Sequence, residues 1–314
     1  MTVVALAGGT GGAKLAAGLQ AVVPPGDLTV IVNTGDDTER HGLLVMPDHD
    51  ACLYMLAGTF DFERGWGVAG ETWTVMDALV ALGEEPWFRL GDRDFATHIA
   101  RHARLSRGAT LTDAVRSIQR AAGIPSAILP MTDGRVRTEV RTDEGWLEFQ
   151  EYFVHRHQAP EVHDVRIVGI EATRPTEAVL AAIAAAQAIV VGPSNPVVSI
   201  GPILAVPGMG AAIDAARARG VPVVAVSPII GGRALKGPAD RMLVSLGMAS
   251  SAVAVAGLYA GLADAFVVDA VDAALLPEVG ALGLRGVAID TLMADADGRA
   301  RVARSVLGAA GIDA

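Results

Sequence analysis

The sequence predicts an α/β protein on a Rossmann-like, doubly wound, mostly parallel sheet, with an inserted α+β subdomain. Three observations lead to that class. Strand-like and helix-like patterns alternate at both ends of the chain. Runs such as Ala188–Val191 and 221–226 are apolar throughout, as strands buried on both faces are, instead of alternating. A glycine-rich turn follows the first such run without a spacer, where a parallel sheet hands over to a helix.

Taken in order, Val3–Ala7 is the first strand and Gly8-Gly9-Thr10-Gly11-Gly12 the turn. From Gly12 onward Lys14, Leu15, Ala16 and Leu19 read as a helix, so the glycines sit where backbone N–H groups meet a helix N-terminus and anions bind. A second strand, Leu28–Val32, runs into Asn33-Thr34-Gly35-Asp36-Asp37. Met46-Pro47-Asp48-His49-Asp50 then precedes a short helix over 51–57 that Asp50 is suited to N-cap. Residues 71–82, 95–105 and 111–122 read as helices, and 135–142 and 146–154 as an antiparallel pair joined by Thr142-Asp143-Glu144-Gly145. This change of pattern sets the domain boundaries: a nucleotide-binding core over 1–60 and 170–314, and an α+β insertion over 61–169. Back in the core, Gly192-Pro193-Ser194-Asn195-Pro196 follows the strand ending at Val191. Ser227-Pro228-Ile229-Ile230-Gly231-Gly232-Arg233 follows the strand ending at Val226, and Lys236-Gly237-Pro238 comes next. Loops at equivalent strand C-termini point into one crevice. Residues 283–314 read as a peripheral strand and helix.

Composition narrows the function classes. With 314 residues, 51% of them hydrophobic, the chain can bury one large core or two modest ones. A net charge of −10 without a Lys- or Arg-rich run supports neither nucleic-acid nor membrane-surface binding. The single cysteine, Cys52, reads as a small core residue; it excludes a disulfide framework and a cysteine-based zinc site and suits a reducing, cytoplasmic compartment. The apolar N-terminus has no basic segment or cleavage site and reads as a core strand, and the Ala/Val-rich stretch 249–263 is too short to span a bilayer.

The glycine turn fits neither standard phosphate template. Gly12-Ala13-Lys14-Leu15 lacks the Gly-Lys-Ser/Thr of a Walker A loop, and Lys14 stands where a dinucleotide fingerprint wants its third glycine. Asn33, not an acid, closes the second strand. Asp36, Asp37, Asp48 and Asp50 form a dense set of oxygen donors, which favours magnesium over zinc. Trp87-Phe88-Arg89-Leu90-Gly91-Asp92-Arg93-Asp94 combines aromatic, basic and acidic groups suited to a flat polar ring or an anion, while Asp94 equally suits a helix N-cap. His98 and His102, four apart without an intervening glutamate, read as a solvated helix face.

The run from Val4 to Leu15 with its glycine turn, Asn33-Thr-Gly-Asp-Asp37, Pro47-Asp-His-Asp50, Leu90-Gly-Asp-Arg-Asp94, Leu129-Pro-Met-Thr-Asp133, Phe149-Gln-Glu-Tyr-Phe153, Gly192-Pro-Ser-Asn-Pro196 and Gly232-Arg-Ala-Leu-Lys-Gly-Pro238 together resemble the CofD/FbiA family. These are the 2-phospho-L-lactate or phosphoenolpyruvate transferases of coenzyme F-420 biosynthesis. The resemblance runs, in the same order, from residue 1 to about 270. It implies transfer of a phospholactyl or phosphoenolpyruvyl group from a guanylyl diphosphate donor to the terminal ribityl hydroxyl of the deazaflavin FO, with GMP leaving, Mg²⁺ as cofactor and no protein nucleophile. By the same resemblance Asp50, Arg89 and Asp92 face FO, with Arg89 standing where the family often has lysine. Gly9, Thr10, Gly11, Gly12, Lys14, Ser194, Asn195, Arg233, Lys236 and Gly237 hold the donor. Asp36, Asp48 and Asp50 are the metal and catalytic candidates. An unshifted carboxylate is a weak base for the FO hydroxyl, so orientation and metal activation carry the expected mechanism. The segments Pro130-Met131-Thr132-Asp133 and 149–153 are assigned to deazaflavin handling, and a homodimer is expected. The alternative reading is a regulatory UDP-sugar-binding protein of the YvcK type, which shares the glycine turn and core fold.

Overall fold

The computed structural model describes residues 1–313. Seven strands form one parallel sheet: β1 (Val3–Ala7), β2 (Leu28–Val32), β3 (Ala127–Pro130), β4 (Ala188–Val191), β5 (Val223–Val226), β6 (Ala265–Asp269) and β7 (Arg285–Ile289). Their spatial order is β7-β6-β5-β4-β1-β2-β3. The order reverses between β1 and β4, where Ala5 lies beside Val190 in register, and doubly wound sheets bind ligands at such a switch point.

The apolar runs are explained by period-two burial on both faces. Along β1, Val4 and Leu6 enter one core with Ile189, Val191, Val223 and Phe266. Val3, Ala5 and Ala7 enter the other with Val190, Val224 and Val267. Fully burying one Val, Leu or Ile contributes roughly 1.5–3 kcal/mol, so a central strand has no position to spare for a polar residue.

Five helices place the functional side chains: α1 (Gly9–Val22), α2 (Pro47–Leu56), α3 (Thr74–Ala81), α4 (Asp92–Leu105) and α5 (Leu111–Ala121). Helix α1 begins three residues earlier than the spacing of its apolar residues implies, so Gly9, Thr10 and Gly11 form its first turn. Gly9 sits at φ +58, a conformation that a side chain disfavours. Helix α2 starts at Pro47 with Met46 as N-cap; Asp50 lies inside the first turn and is not the cap. Its carboxylate instead accepts a bond from the Met46 N–H at 3.3 Å.

Three segments depart from the sequence reading. Residues 127–130 belong to the main sheet, paired parallel with β2, so the expected insertion 61–169 is interrupted by a core strand. Residues 149–154 form no second hairpin arm. Arg137–Thr142 pairs with Gly145–Glu148 on one side and Asp164–Val168 on the other, and Glu151–His155 is helical. Phe149, Tyr152 and Phe153 have helical i, i+3, i+4 spacing, and the first two are buried. In the C-terminal segment β7 is the edge strand, pairing with β6 alone as a peripheral strand does, but the helix Ala296–Ala309 is not peripheral: it buries Val302, Ala303, Val306 and Leu307 in the second core. It packs closely on α1 because Gly18 has no Cβ, which would stand 2.2 Å from the Arg299 carbonyl oxygen. Ala314, the last residue of the expected 283–314 element, lies outside the described residues. Among those described, no single helix is long and apolar enough to cross a membrane.

Candidate functional site

A cavity of ≈610 Å³ opens over the C-terminal ends of the central strands, within the usual range for small-molecule sites. Loops after β1, β2, β4, β5 and β7 all contribute to its lining, as the switch-point rule requires. One part is aromatic: Phe60, Trp66, Trp87, Phe88, Phe149 and Phe153 line it. Guanidinium groups brace these rings. Arg64 lies over Trp66 at 5.1 Å and Arg40 over Trp87 at 4.5 Å, Trp87 stacks on His155 at 4.7 Å, and Arg89, itself in the lining, lies over Trp73 behind it at 4.8 Å. The other part is the glycine turn with Lys14, Lys236 and Gly237.

The glycines serve packing first. A Cβ on Gly11 would stand 2.4 Å from the Pro193 carbonyl oxygen, and one on Gly12 would stand 2.4 Å from Ser194 Oγ. The turn is thereby pressed against the loop after β4. The Gly8 N–H donates to Ser194 Oγ at 3.0 Å, and the Ser194 hydroxyl donates to the Gly8 carbonyl at 2.7 Å. Asn195 Oδ1 accepts from the Val197 N–H at 2.9 Å, capping the next segment. Ser194 and Asn195 line the cavity as expected, but these side chains tie two loops together. Gly12 lies behind the cavity wall, under Ser194. Thr10 and Gly11, in the first turn of α1, line the cavity with helix-terminal amides that have no intrahelical acceptor.

Helix α2 directs its two aspartates to different neighbours. Residues two apart on a helix do not share a face. Asp48 turns to the glycine turn, accepting from the Gly9 N–H at 2.6 Å and from Asn33 Nδ2 at 2.9 Å. Asp50 turns to α4, where it accepts from the Arg101 guanidinium, with His49 and His98 Nδ1 each at 3.6 Å. Burial acts to raise the Asp50 pKa, but Arg101, with His49 beside it, outweighs burial and holds the carboxyl below the usual range. Arg101 in turn donates to His98 Nδ1 at 3.1 Å. A guanidinium only donates, so the ring proton sits on Nε2, which faces Asp94 Oδ1 at 3.1 Å. The Tyr54 hydroxyl donates to the same oxygen at 2.6 Å.

Asp36 and Asp48 form the opposite kind of pair. Burial and then the charge of Asp48 push the Asp36 pKa well up, and burial raises that of Asp48 to about 6 against the Asn33, Gly9 and Ser199 hydrogen bonds. Asp36 Oδ1 is buried without a partner. Two buried carboxylates with dipoles but no cation beside them are a hard-oxygen donor set that fits Mg²⁺. Among the described residues no three His, Cys, Asp or Glu side chains are grouped so that they could hold a metal ion. Of the expected ligands Asp36, Asp48 and Asp50, the structure makes neighbours of Asp36 and Asp48 and turns Asp50 along α2 to Arg101.

Further readings depart from the observed positions. Asp92 does not line the cavity: it accepts from the Thr72 hydroxyl and from the Thr74 and Val75 N–H groups at 3.1 and 3.0 Å, capping α3. Glu71 reciprocates at α4, accepting from the Arg93 and Asp94 N–H groups at 2.8 Å each, so Asp94 is not the N-cap there. Arg233 is exposed in a two-residue ladder with Ile230, outside the cavity. The segment after β3 is structural as well, since Asp133 accepts from the Thr112 N–H and hydroxyl at 2.7 Å and caps α5. His98 is buried in the Asp50 network, contrary to its reading as a solvated position. Gly9, Thr10, Gly11, Lys14, Asp36, Asp48, Asp50, Arg89, Lys236 and Gly237 do line one cavity. Sequence reasoning missed Tyr54, Trp66, His98, Thr291 and Met293. Asp94, His98 and Arg101, spaced i, i+4, i+7 on α4, carried the one signal that could have revealed the buried network.

The family model described as 2-phospho-L-lactate transferase CofD matches residues 3–307. A protein of Streptomyces griseus named phosphoenolpyruvate transferase is 45% identical over 313 residues, covering 98% of each chain. One of Methanosarcina acetivorans named 2-phospho-L-lactate transferase is 38% identical over 303 residues, covering 96% of this chain and 97% of that protein. The solved structure of BH3568 from Bacillus halodurans, described as a member of the UPF0052 family, shares the fold, with a TM-score of 0.61 and 98% coverage of both chains at 16% identity. Matched over nearly its whole length by the family model and by transferases of both names, the chain belongs to the CofD family.

Proposed function

We propose that this protein transfers a phosphoenolpyruvyl group from a guanylyl diphosphate donor to the terminal ribityl hydroxyl of FO, releasing GMP and forming dehydro-F-420-0. The coarser statement is secure: it is a transferase of a phospholactate or phosphoenolpyruvate group in coenzyme F-420 biosynthesis. The carrying observation is one cavity with an aromatic part braced by guanidinium groups and an amide-and-lysine part at a helix N-terminus. The first suits a flat deazaflavin and the second a diphosphate. The choice of enolpyruvyl rests on the greater likeness to phosphoenolpyruvate transferases, 45% against 38% identity. We further propose that the enzyme acts in the cytoplasm as a homodimer.

Asp36 and Asp48 would hold Mg²⁺, which supplies charge neutralisation at the diphosphate. The chain's own residues orient the reactants. The Thr10 and Gly11 amides, Lys14 and Lys236 bind the donor, and Arg89 and the aromatic part hold FO. Asp50, kept anionic by Arg101, accepts a hydrogen bond from an FO hydroxyl; its depressed pKa rules it out as a general base near neutrality. No protein nucleophile is needed, so catalysis rests on alignment and charge.

The test is incubation of purified protein with FO, Mg²⁺ and each guanylyl donor, alone and in competition. A more anionic deazaflavin on chromatography, with GMP and a preference for the enolpyruvyl donor, is expected. Preference for the lactyl donor overturns the donor choice. No product with either donor, together with a tight UDP-sugar complex in calorimetry, overturns the transferase.

A further inference from the structure

We infer that Lys236 is a clasp that holds the Gly65 carbonyl and the donor's diphosphate together, so that donor binding fixes the loop carrying Trp66 and strengthens acceptor binding. The inference rests on the two-part site proposed above and adds that filling one part favours filling the other. Lys236 Nζ donates to the Gly65 carbonyl, 171 residues away, and both residues line the cavity. Gly65 sits at φ +79, in the left-handed region, and a Cβ there would stand 2.5 Å from Lys236 Nζ.

The two sides of the clasp are held differently. Lys236 follows the ladder of Ile229–Ile230 with Arg233–Ala234, whose turn is pinned at both glycines. The Gly231 N–H donates to the Asp272 carboxylate at 3.0 Å, and the Ser250 hydroxyl donates to the Gly232 carbonyl at 2.7 Å. The opposite loop, 61–67, is closed on itself. Asp61 donates its N–H to the Gly67 carbonyl at 3.1 Å, and its carbonyl and carboxylate accept from the Gly65 and Arg64 N–H groups at 2.8 Å each. Among the described residues the clasp is this loop's one hydrogen bond to the rest of the chain. Trp66, next to Gly65, lines the cavity and is still 41% exposed, so the protein leaves much of its ring for a ligand to cover. Arg64 lies over that ring, so the loop itself holds it. An ammonium carries three donors, and Gly65 takes one. The other two remain for an anion bound to the Thr10 and Gly11 amides and Lys14 in the same cavity. Phosphate on Nζ removes the rotamer freedom of a long side chain, an entropic cost that the Gly65 bond then need not meet, so the clasp closes more firmly with donor present. By linkage, acceptor favours donor by the same factor.

The experiment measures FO Kd calorimetrically with and without saturating GDP, and GDP Kd alone, in wild type, Gly65→Ala, Lys236→Met and Lys236→Arg. GDP should tighten FO about fivefold in wild type and leave it unchanged in Gly65→Ala and Lys236→Met, with partial recovery in Lys236→Arg. GDP Kd should rise about tenfold in Lys236→Met, which loses a charge-assisted contact, and stay within about twofold in Gly65→Ala, which breaks the clasp but keeps the ammonium. Wild type in which GDP weakens FO or does not affect it overturns the inference, as does a folded Gly65→Ala or Lys236→Met that keeps the GDP effect. Lys236→Met carries the test alone if Gly65→Ala does not fold. A readout without FO separates the clasp from the reading it rests on: GDP should change the tryptophan fluorescence of wild type but not that of Trp66→Phe or Gly65→Ala. Wild type that shows this change but binds no FO keeps the clasp and overturns the deazaflavin reading. Wild type that binds FO and GDP independently keeps that reading and overturns the clasp.

Discussion

Asp50 and the Asp36–Asp48 pair line the same cavity and are buried to the same degree, with 4, 4 and 6% exposure for Asp50, Asp36 and Asp48, yet their electrostatics are opposite. Around Asp50 stand a fully buried guanidinium and two imidazoles. Around Asp36 and Asp48 stand amides, an asparagine and each other. Burial costs both sites; a cation within the fold reverses the outcome at one of them only. Asp50 is thus a fixed anion that the protein completes by itself. The Asp36–Asp48 pair has no such cation within the fold, and it is the place proposed above for Mg²⁺.

The most severe way to break this contrast is Arg101→Met. It strands the Asp50 charge in the interior, and removing one partner of a buried ion pair costs about 3–5 kcal/mol. Urea denaturation should show that loss, and adding Asp50→Asn should recover most of it; a double variant as unstable as the single would mean that Asp50 was never the reason. Asp36→Asn should behave in the opposite way. Turnover should fall about a hundredfold or more through loss of transition-state charge stabilisation, while stability stays level or rises by about 1 kcal/mol as the repulsion is relieved. A stability loss like that of Arg101→Met would erase the distinction between the two sites. Asp50→Asn alone is a poorer probe, because it leaves Arg101 buried without its counter-charge. Next in size is the effect of magnesium. Wild type should gain on the order of 2 kcal/mol, read as a rise in Tm, at saturating Mg²⁺, and Asp36→Asn should gain little.

The fold was legible where physics writes on the sequence locally. Double-faced burial turns β1, β4 and β5 into unbroken apolar runs, and the density of Asp36, Asp37, Asp48 and Asp50 announces a polar site inside an apolar chain. What escaped depends on register and distance. Whether Asp48 and Asp50 share a ligand is decided by α2 beginning at Pro47, which separates their faces. The Arg101–Asp50 pair joins positions 51 residues apart and leaves no local pattern, although the stripe Asp94, His98, Arg101 marks one side of it. Arg233 and Asp92 carried motif membership without position: one lies on an outer ladder, and the other caps α3. The C-terminal helix looked peripheral because its contribution comes from Gly18 admitting a distant backbone.

The smallest expected effect is also the most direct comparison of the two sites, since pH moves them in opposite directions. The folded pKa of Asp50 lies below its unfolded value, so its contribution to stability is present above the ordinary carboxylate range and lost as pH falls below it. Asp48 is pushed up to about 6 from 3.8, so between those values the folded state binds the proton that the unfolded chain releases. Stability therefore declines as pH rises through that window, and Asp36 and Asp37, both pushed well up by burial, add declines of the same sign. A two-unit shift corresponds to about 3 kcal/mol, and relaxation and water entry at a cavity wall reduce the observable change to the order of 1 kcal/mol. Without divalent cations, wild type should show a stability maximum between about pH 4 and 5. Saturating Mg²⁺ should flatten the decline above it, and Asp36→Asn should shrink it by removing the second carboxyl whose pKa burial and Asp48 push up. Denaturant midpoints measured from pH 4 to 7 with and without Mg²⁺ check this; a wild-type profile that matches Asp36→Asn in both conditions would show that the pair carries no strain for a metal to relieve.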